Sequence, residues 1–170
     1  NKKIKINSFK KKLCGKFRPN HFEAVVDVVD RFINIIKPKR IYLGNKDMQQ
    51  LILIKDYVEK NKLNTKVIAC RTVRQNNGIA LSSRNLLLSN NDKIIASNVY
   101  KTLKKFKKKI IYRKNFTKTL KNKIFNLGVK KIDYLEFLDI NKLIKPYKKI
   151  SNKKLFIAYY IKSVRLIDNV

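Results

Sequence analysis

Arg40-Ile-Tyr-Leu-Gly-Asn-Lys-Asp-Met-Gln-Gln50 is the stretch that decides the fold class. Its first four residues, Arg40 and the apolar Ile41-Tyr-Leu43, read as a short strand of the buried type, and Gly44 breaks the run. Beyond it, Leu51, Ile54 and Val58 share one helical face, which predicts a helix through about Lys60. A strand, a tight glycine turn and a helix with a charged start are the first half of a parallel α/β unit, and residues 66–70 supply the next strand. In such sheets ligands bind beyond the carboxyl ends of the strands. Gly44 lets a ligand approach the backbone, and Lys46 brings positive charge. Asp47 either caps the helix or holds a ribose or a metal. Gln49 and Gln50 carry the polar cluster into the first helical turn. A capped helix with solvated polar residues is the competing reading of these positions alone.

Working outward toward the C-terminus, residues 74–85 read Arg-Gln-Asn-Asn-Gly-Ile-Ala-Leu-Ser-Ser-Arg-Asn. Gly78 permits a sharp bend, and Asn76 and Asn77 tolerate left-handed backbone angles. Ser82, Ser83 and Arg84 then gather hydroxyls and a guanidinium within one turn, a composition suited to phosphate. A mobile loop of this kind can close over a triphosphate and stabilise charge on phosphoryl oxygens as pyrophosphate leaves, with Arg84 first in that role. This loop and residues 44–47 are expected to leave the same edge of one sheet. Ser89-Asn-Asn-Asp92 has the form of a capping box, and the helix behind it carries Ile95, Val99, Leu103 and Phe106. The lysine-rich tract from Lys104 to Lys109 reads as a solvated helix end. A second helix near residues 116–127 stops at Gly128. Strands are predicted at 132–139, 155–161 and 164–167, the first two separated around Pro146 and the last two joined by a tight turn at Lys162 and Ser163. The boundary between the two parts is placed near residues 86–89, giving domains 1–86 and 87–170.

On the other side, the apolar residues Phe22, Val25, Val26, Val29, Ile33 and Ile36 predict a helix from His21 to Ile36, with Glu23, Asp27, Asp30 and Asn34 on its polar face. Asn20 is its expected cap and Pro38 its terminator. His21 is the only histidine, and beside Arg18 it suits an anion at a helix start better than a catalytic role. Residues 1–12 read as a short exposed strand or a lead-in.

The composition adds a formal charge of +31 from 42 basic and 11 acidic residues, with a hydrophobic share of 44%. That share is ordinary for a folded protein. Such charge alone points to nucleic acid, but the lysines are scattered over every segment and form no stripe, as a biased coding sequence would also give. No apolar run reaches the roughly 20 residues of a membrane helix, and no signal peptide is recognisable. Two cysteines without metal-ligand spacing or a disulfide framework fit a reducing, cytoplasmic setting. Neither a Gly-x-Gly-x-x-Gly nor a P-loop pattern occurs, and no Ser-His-acid order is supported.

Four blocks, in order, resemble those of the pantoate-β-alanine ligases, members of the adenylate-forming nucleotidyltransferase superfamily. They are residues 13–22 with Arg-Pro-Asn-His-Phe, residues 44–50, residues 74–85 ending Ala-Leu-Ser-Ser-Arg-Asn, and the terminal Arg165-Leu-Ile-Asp-Asn169. The resemblance implies an α/β fold: part of a Rossmann-like nucleotidyltransferase domain, followed by a small α+β lid domain with an antiparallel sheet. It implies that Gly44, Asn45, Lys46, Asp47, Leu81, Ser82, Ser83 and Arg84 contact ATP, with Val73 lending backbone to the adenine pocket and Gln50 binding pantoate. Arg84, Ser82, Ser83 and Lys46 would stabilise the phosphates in the transition state. ATP and pantoate would form pantoyl adenylate, and β-alanine would displace AMP. Mg2+ would accompany ATP, no residue set for a resident metal is implied, and the complete enzyme would be a homodimer with neither a membrane nor a specific nucleic-acid partner. Asn20 stands where the family has Gly, Glu23-Ala24 where it has Arg-Gly, Asn45 where it has Glu, and Arg71 where Pro is common. The family's His-x-Gly-His signature is absent, so the expectation is the C-terminal part of a longer enzyme, inactive alone. A basic nucleic-acid-binding module and another adenylate-forming synthetase are the alternatives.

Overall fold

The computed structural model describes residues 4–107, 116–144 and 151–170. The chain divides into two compact units, one running to Arg71 and joined by the stretch that begins at Lys142, the other holding Thr72–Asn141 and the C-terminal strands. The sequence reading placed residues 72–86 with the first part. They group with the second, where the Arg74 guanidinium donates to Asp168 and Asn169 near the C-terminus and the Ser97 hydroxyl donates to the Asn77 carbonyl.

In the first unit, β1 (Arg40–Gly44) and β2 (Lys66–Cys70) pair in parallel, in register from Arg40 opposite Lys66 to Gly44 opposite Cys70. The chain therefore leaves both strands at one edge, as expected. Between them runs α3 (Met48–Lys60), which packs on α2 (His21–Ile36). Val26, Ile33, Ile54, Tyr57 and Val58 form the core, and Ile41 and Leu43 turn toward it from β1. Tyr42, one residue out of phase, is 63% exposed. β1 is thus not the buried strand expected from its composition, because the described helices cover only one face of the pair.

Helix α2 keeps its predicted bounds but not all of its predicted faces. Phe22, Val26 and Ile33 are buried, whereas Ile36 is 65% exposed. Asp30, expected on the polar face, is buried beside Tyr57. Burial and then that carboxylate push the Tyr57 hydroxyl up to about 12. Asn20 does not cap with its side chain; it takes the left-handed conformation at φ 60°. At the other end Lys37, also left-handed, donates its N–H to the Ile33 carbonyl at 2.9 Å, and Pro38 lies beyond. Of the two readings of residues 1–12, a short strand or a lead-in, the described part is no strand and holds a 3-10 turn, Ser8–Lys11, in which the Asn7 side chain accepts from the Phe9 N–H. Phe9 is buried, and the short helical turn α1 (Cys14–Phe17) follows.

The second unit is a three-stranded antiparallel sheet, ordered β3 (Lys131–Asp139), β4 (Lys153–Ile161), β5 (Val164–Asn169). Helices α4 (Asn90–Lys107) and α5 (Phe116–Phe125) complete its core. Val99, Leu103, Leu120, Ile124 and Ile157 are fully buried there, with Ile95 and Phe106 packed at the margin. The capping box forms as predicted: the Asp92 N–H donates to Ser89 Oγ at 3.2 Å, and the Ser89 N–H and hydroxyl donate to the Asp92 carboxylate. The three predicted strands are present, with Lys162 at φ 51° in the turn joining the last two. Lys108, Lys109 and Pro146 lie outside the described residues.

Candidate nucleotide-binding loops

At the carboxyl end of β1, Gly44 is followed by a 3-10 turn, Asn45–Asp47, that runs into α3. A side chain added at Gly44 would have no heavy atom within 4 Å, and the residue sits at φ −72°. Neither backbone angle nor packing in the fold requires glycine there, so the open space beside it is available to a ligand. The Lys46 side chain is mostly buried, with its Nζ 4.0 Å from the Asp47 carboxylate, which is itself 51% exposed. Asp47 was expected to cap the helix or hold a ligand. It makes no capping hydrogen bond, which leaves its carboxylate facing solvent.

The two glutamines part company. Gln50 is half-buried at the end of this first turn. Gln49 is buried, accepts the Cys14 N–H at 3.0 Å and donates to the carbonyls of Phe9 and Lys12 at 2.9 and 2.7 Å. It is a fastener for the N-terminal turns, whereas sequence placed it among the polar ligand groups. Of the remaining candidates in this unit, His21 stacks obliquely on Phe22 with ring centroids 5.0 Å apart, and Arg18 ends α1.

In the second unit, residues 73–85 form a tight hairpin-like loop. Arg74 bridges Ala80, the Leu81 N–H donates to the Val73 carbonyl at 3.0 Å, and Gln75 and Ile79 pair inside them. Gly78, at φ 93°, turns the chain against the Tyr100 ring, where an added Cβ would meet ring carbon at 2.4 Å. The side chains of Val73 and Leu81 point outward, 65% and 51% exposed. Ser82 Oγ accepts the Arg84 N–H at 3.3 Å and so starts the 3-10 turn Ser83–Leu87. A hydroxyl that accepts in this way still has its hydrogen to donate. Ser83 and Arg84 are exposed, and Asn85 is buried, donating its amide to the Ala80 carbonyl at 3.0 Å. The structure thus groups Gly44, Asn45, Lys46 and Asp47 in one turn, with Gln50 one helical turn on. It groups Leu81, Ser82, Ser83 and Arg84 in another, with Val73 across the stem.

Lys104 and Lys107 line a cavity together with Arg74, Tyr100 and Val170. The Lys154 ammonium is held below its ordinary pKa, first by burial and then by Lys107 and Arg74, with Asp168 opposing them. Among the described residues no group of three His, Cys, Asp or Glu side chains could hold a metal ion, and no helix is long and apolar enough to cross a membrane.

Sequence reasoning missed the partners of the loop. Arg74 lies 94 positions before Asp168, with which it forms a bidentate pair, and nothing local signals that contact. The only pointer was that both residues fall in blocks quoted for the family resemblance.

A strand–glycine turn–helix–strand unit with Lys46 in the turn after β1, accompanied by an α+β unit that displays Ser-Ser-Arg, defines the class: an α/β protein with a parallel strand pair and a separate antiparallel sheet. The pantoate-beta-alanine ligase family matches residues 2–170, and the chain belongs to it. It is 36% identical over 160 residues to the pantothenate synthetase of Flavobacterium psychrophilum, a match covering 92% of this chain and 57% of that protein. Among solved structures it is similar to the pantothenate synthetase of Thermus thermophilus, with a TM-score of 0.86 and 26% identity over 100% of this chain and 63% of the other. It is also similar to the pantoate-β-alanine ligase of Francisella tularensis complexed with β-γ ATP and β-alanine. That match has a TM-score of 0.74 and 36% identity, covering 98% of this chain and 58% of that one. The chain therefore spans less than two thirds of these relatives.

Proposed function

We propose that this chain is the C-terminal part of an ATP-dependent ligase that joins pantoate to β-alanine through pantoyl adenylate. The observation that carries the reading is the 36% identity, over 98% of this chain, to a ligase complexed with β-γ ATP and β-alanine. In the first step the pantoate carboxylate attacks the α-phosphorus of ATP and pyrophosphate leaves. In the second the β-alanine amine attacks the acyl carbon, loses a proton and expels AMP. The half-reactions balance, and neither needs a redox partner.

Within this reading, Gly44, Asn45, Lys46 and Asp47 receive ATP at the carboxyl end of β1, where the space beside Gly44 admits the ligand. Leu81, Ser82, Ser83 and Arg84 contact ATP as well. Val73 lends backbone to adenine recognition, and Gln50 binds pantoate. Lys46, Ser82, Ser83 and Arg84 act by charge and hydrogen bonding on phosphate oxygens, which strengthens as charge develops on the departing pyrophosphate. Asp47, the exposed carboxylate of the β1 turn, fits an Mg2+ ion that enters with ATP, since Mg2+ binds through one or two carboxylates together with substrate phosphates. Such an ion would neutralise phosphate charge. The intact enzyme works as a homodimer in the cytoplasm.

Pantoate-dependent exchange of labelled pyrophosphate into ATP tests this directly. The intact protein should catalyse it and Arg84→Ala should lower it by about 100-fold or more without unfolding the protein. An intact protein that shows no exchange, or one in which Arg84→Ala exchanges at the wild-type rate, would refute the assignment.

A further inference from the structure

The Ser82–Arg84 segment stands on a stem that the rest of its unit holds from several sides. Arg74, at the base of that stem, donates through its two terminal nitrogens to both Asp168 oxygens at 2.7 and 2.8 Å. The same guanidinium donates to the Gly78 carbonyl at 3.0 Å and the Asn169 carbonyl at 3.3 Å, and it lies 4.0 Å from the centroid of the Tyr100 ring. Both side chains are largely shielded from water, 18% and 9% exposed. Burial works against the Arg74 charge, but the hydrogen bond and charge of Asp168 outweigh it and hold its pKa above the ordinary value. A guanidinium presents a planar fork with fixed donor directions, so a bidentate pair fixes orientation as well as distance.

From that base the restraint passes along the loop. Arg74 is bridged to Ala80, and Ala80 accepts the Asn85 amide, so residues 81–84 form a short arch whose two feet, Ala80 and Asn85, are bonded to each other. The inner turn is held by Ser97, whose hydroxyl donates to the Asn77 carbonyl at 2.7 Å, and by the Tyr100 ring under Gly78. Every one of these anchors belongs to the same compact unit.

We propose that the Arg74–Asp168 pair is a positioning brace for the phosphate-contacting arch, setting where Ser82, Ser83 and Arg84 stand when ATP is activated. Arg74 itself touches no substrate. The proposal rests on the adenylation reading above and adds a residue pair to it. It also narrows the expectation of a mobile loop: with Arg74, Asn77, Ala80 and Asn85 bonded within the unit, movement on closing over a triphosphate is expected in the segment from Leu81 to Arg84. Catalytic groups displaced by about 1 Å can lose on the order of 100-fold in rate, so a brace acting through position should reveal itself in the step that uses the arch.

The test uses the intact protein carrying Arg74→Lys or Asp168→Asn. Lysine keeps the charge of Arg74 and loses the fork. Three readouts are combined: pantoate-dependent pyrophosphate exchange, the rate at which β-alanine consumes pre-formed pantoyl adenylate, and amide hydrogen exchange across residues 79–87. Arg165→Gln, which breaks a different ion pair of the same sheet with Asp133, is the control for lost stability alone. The expected result is a 10- to 100-fold fall in pyrophosphate exchange for both brace variants, with faster amide exchange confined to the arch, an unchanged second half-reaction and a normal first step in the control. Equal losses in both half-reactions, a matching loss in Arg165→Gln, or unaltered amide exchange at 81–84 would overturn the proposal. Failure of the reading beneath it looks different: there Arg84→Ala leaves pyrophosphate exchange intact. If Arg84→Ala abolishes exchange while Arg74→Lys does not, the adenylation reading stands and the brace falls.

Discussion

Adjacent glutamines in α3 illustrate how one residue type takes two jobs. Gln49 closes three hydrogen bonds to backbone that is otherwise buried, and Gln50 sits half-exposed beside the turn that follows β1. Gln49→Leu should therefore destabilise the protein by on the order of 3 kcal/mol, since it removes three hydrogen bonds, each contributing about 1 kcal/mol, between a buried side chain and the backbone of Phe9, Lys12 and Cys14. Gln50→Leu should leave stability within about 0.5 kcal/mol and instead raise the KM for pantoate. Urea denaturation of the two variants checks the first difference and steady-state kinetics the second; equal unfolding midpoints would contradict the division. From sequence alone the two positions were indistinguishable, because what separates them is the carbonyls of Phe9 and Lys12, brought near by folding. The same holds for Asp30, which spacing placed toward solvent and the fold placed beside Tyr57.

Elements were more legible than their surroundings. Both bounds of α2, the capping box before α4 and the turn at Lys162 follow from local chemistry, and all are present. Caps act over three or four residues, which is the range sequence patterns report. The box also carries a pH signature. The Asp92 carboxyl is held below its usual value of 3.8, by the Ser89 hydrogen bond first and then by Lys162. A carboxyl whose folded pKa is depressed contributes stability that is fully present above its unfolded pKa and is lost as pH falls through the folded value. Asp92→Asn should accordingly be less stable than wild type at neutral pH, with the gap narrowing as pH drops below 3.8. Thermal melts recorded through that range check it, and two curves that remain parallel would show that the cap does not titrate with folding. Element faces were less legible than element bounds. β1 was read as buried from its apolar run, but that run cannot show that the described helices cover only one face.

At the scale of the whole molecule the charge of +31 is the dominant sequence feature. Scattered like charges repel one another in a compact state, and salt screens them, the Debye length shrinking from about 30 Å at 0.01 M to about 3 Å at 1 M. The melting temperature should therefore rise as sodium chloride is added over that range. A flat or falling curve would mean that local ion pairs such as Lys60 with Asp56 already offset the repulsion. The sequence by itself determined the α/β class, most helix and strand positions and the two polar loops, since turn chemistry, caps and hydrophobic period are encoded within a few neighbouring residues. The family likeness was legible in the same way, carried by short blocks in a fixed order. Only the tertiary structure decided that residues 72–86 belong with the second unit, that Gln49 is a fastener, and that Arg74 meets Asp168. Those facts depend on contacts between residues far apart in the chain, and no local pattern records which distant carbonyl or carboxylate a side chain will reach.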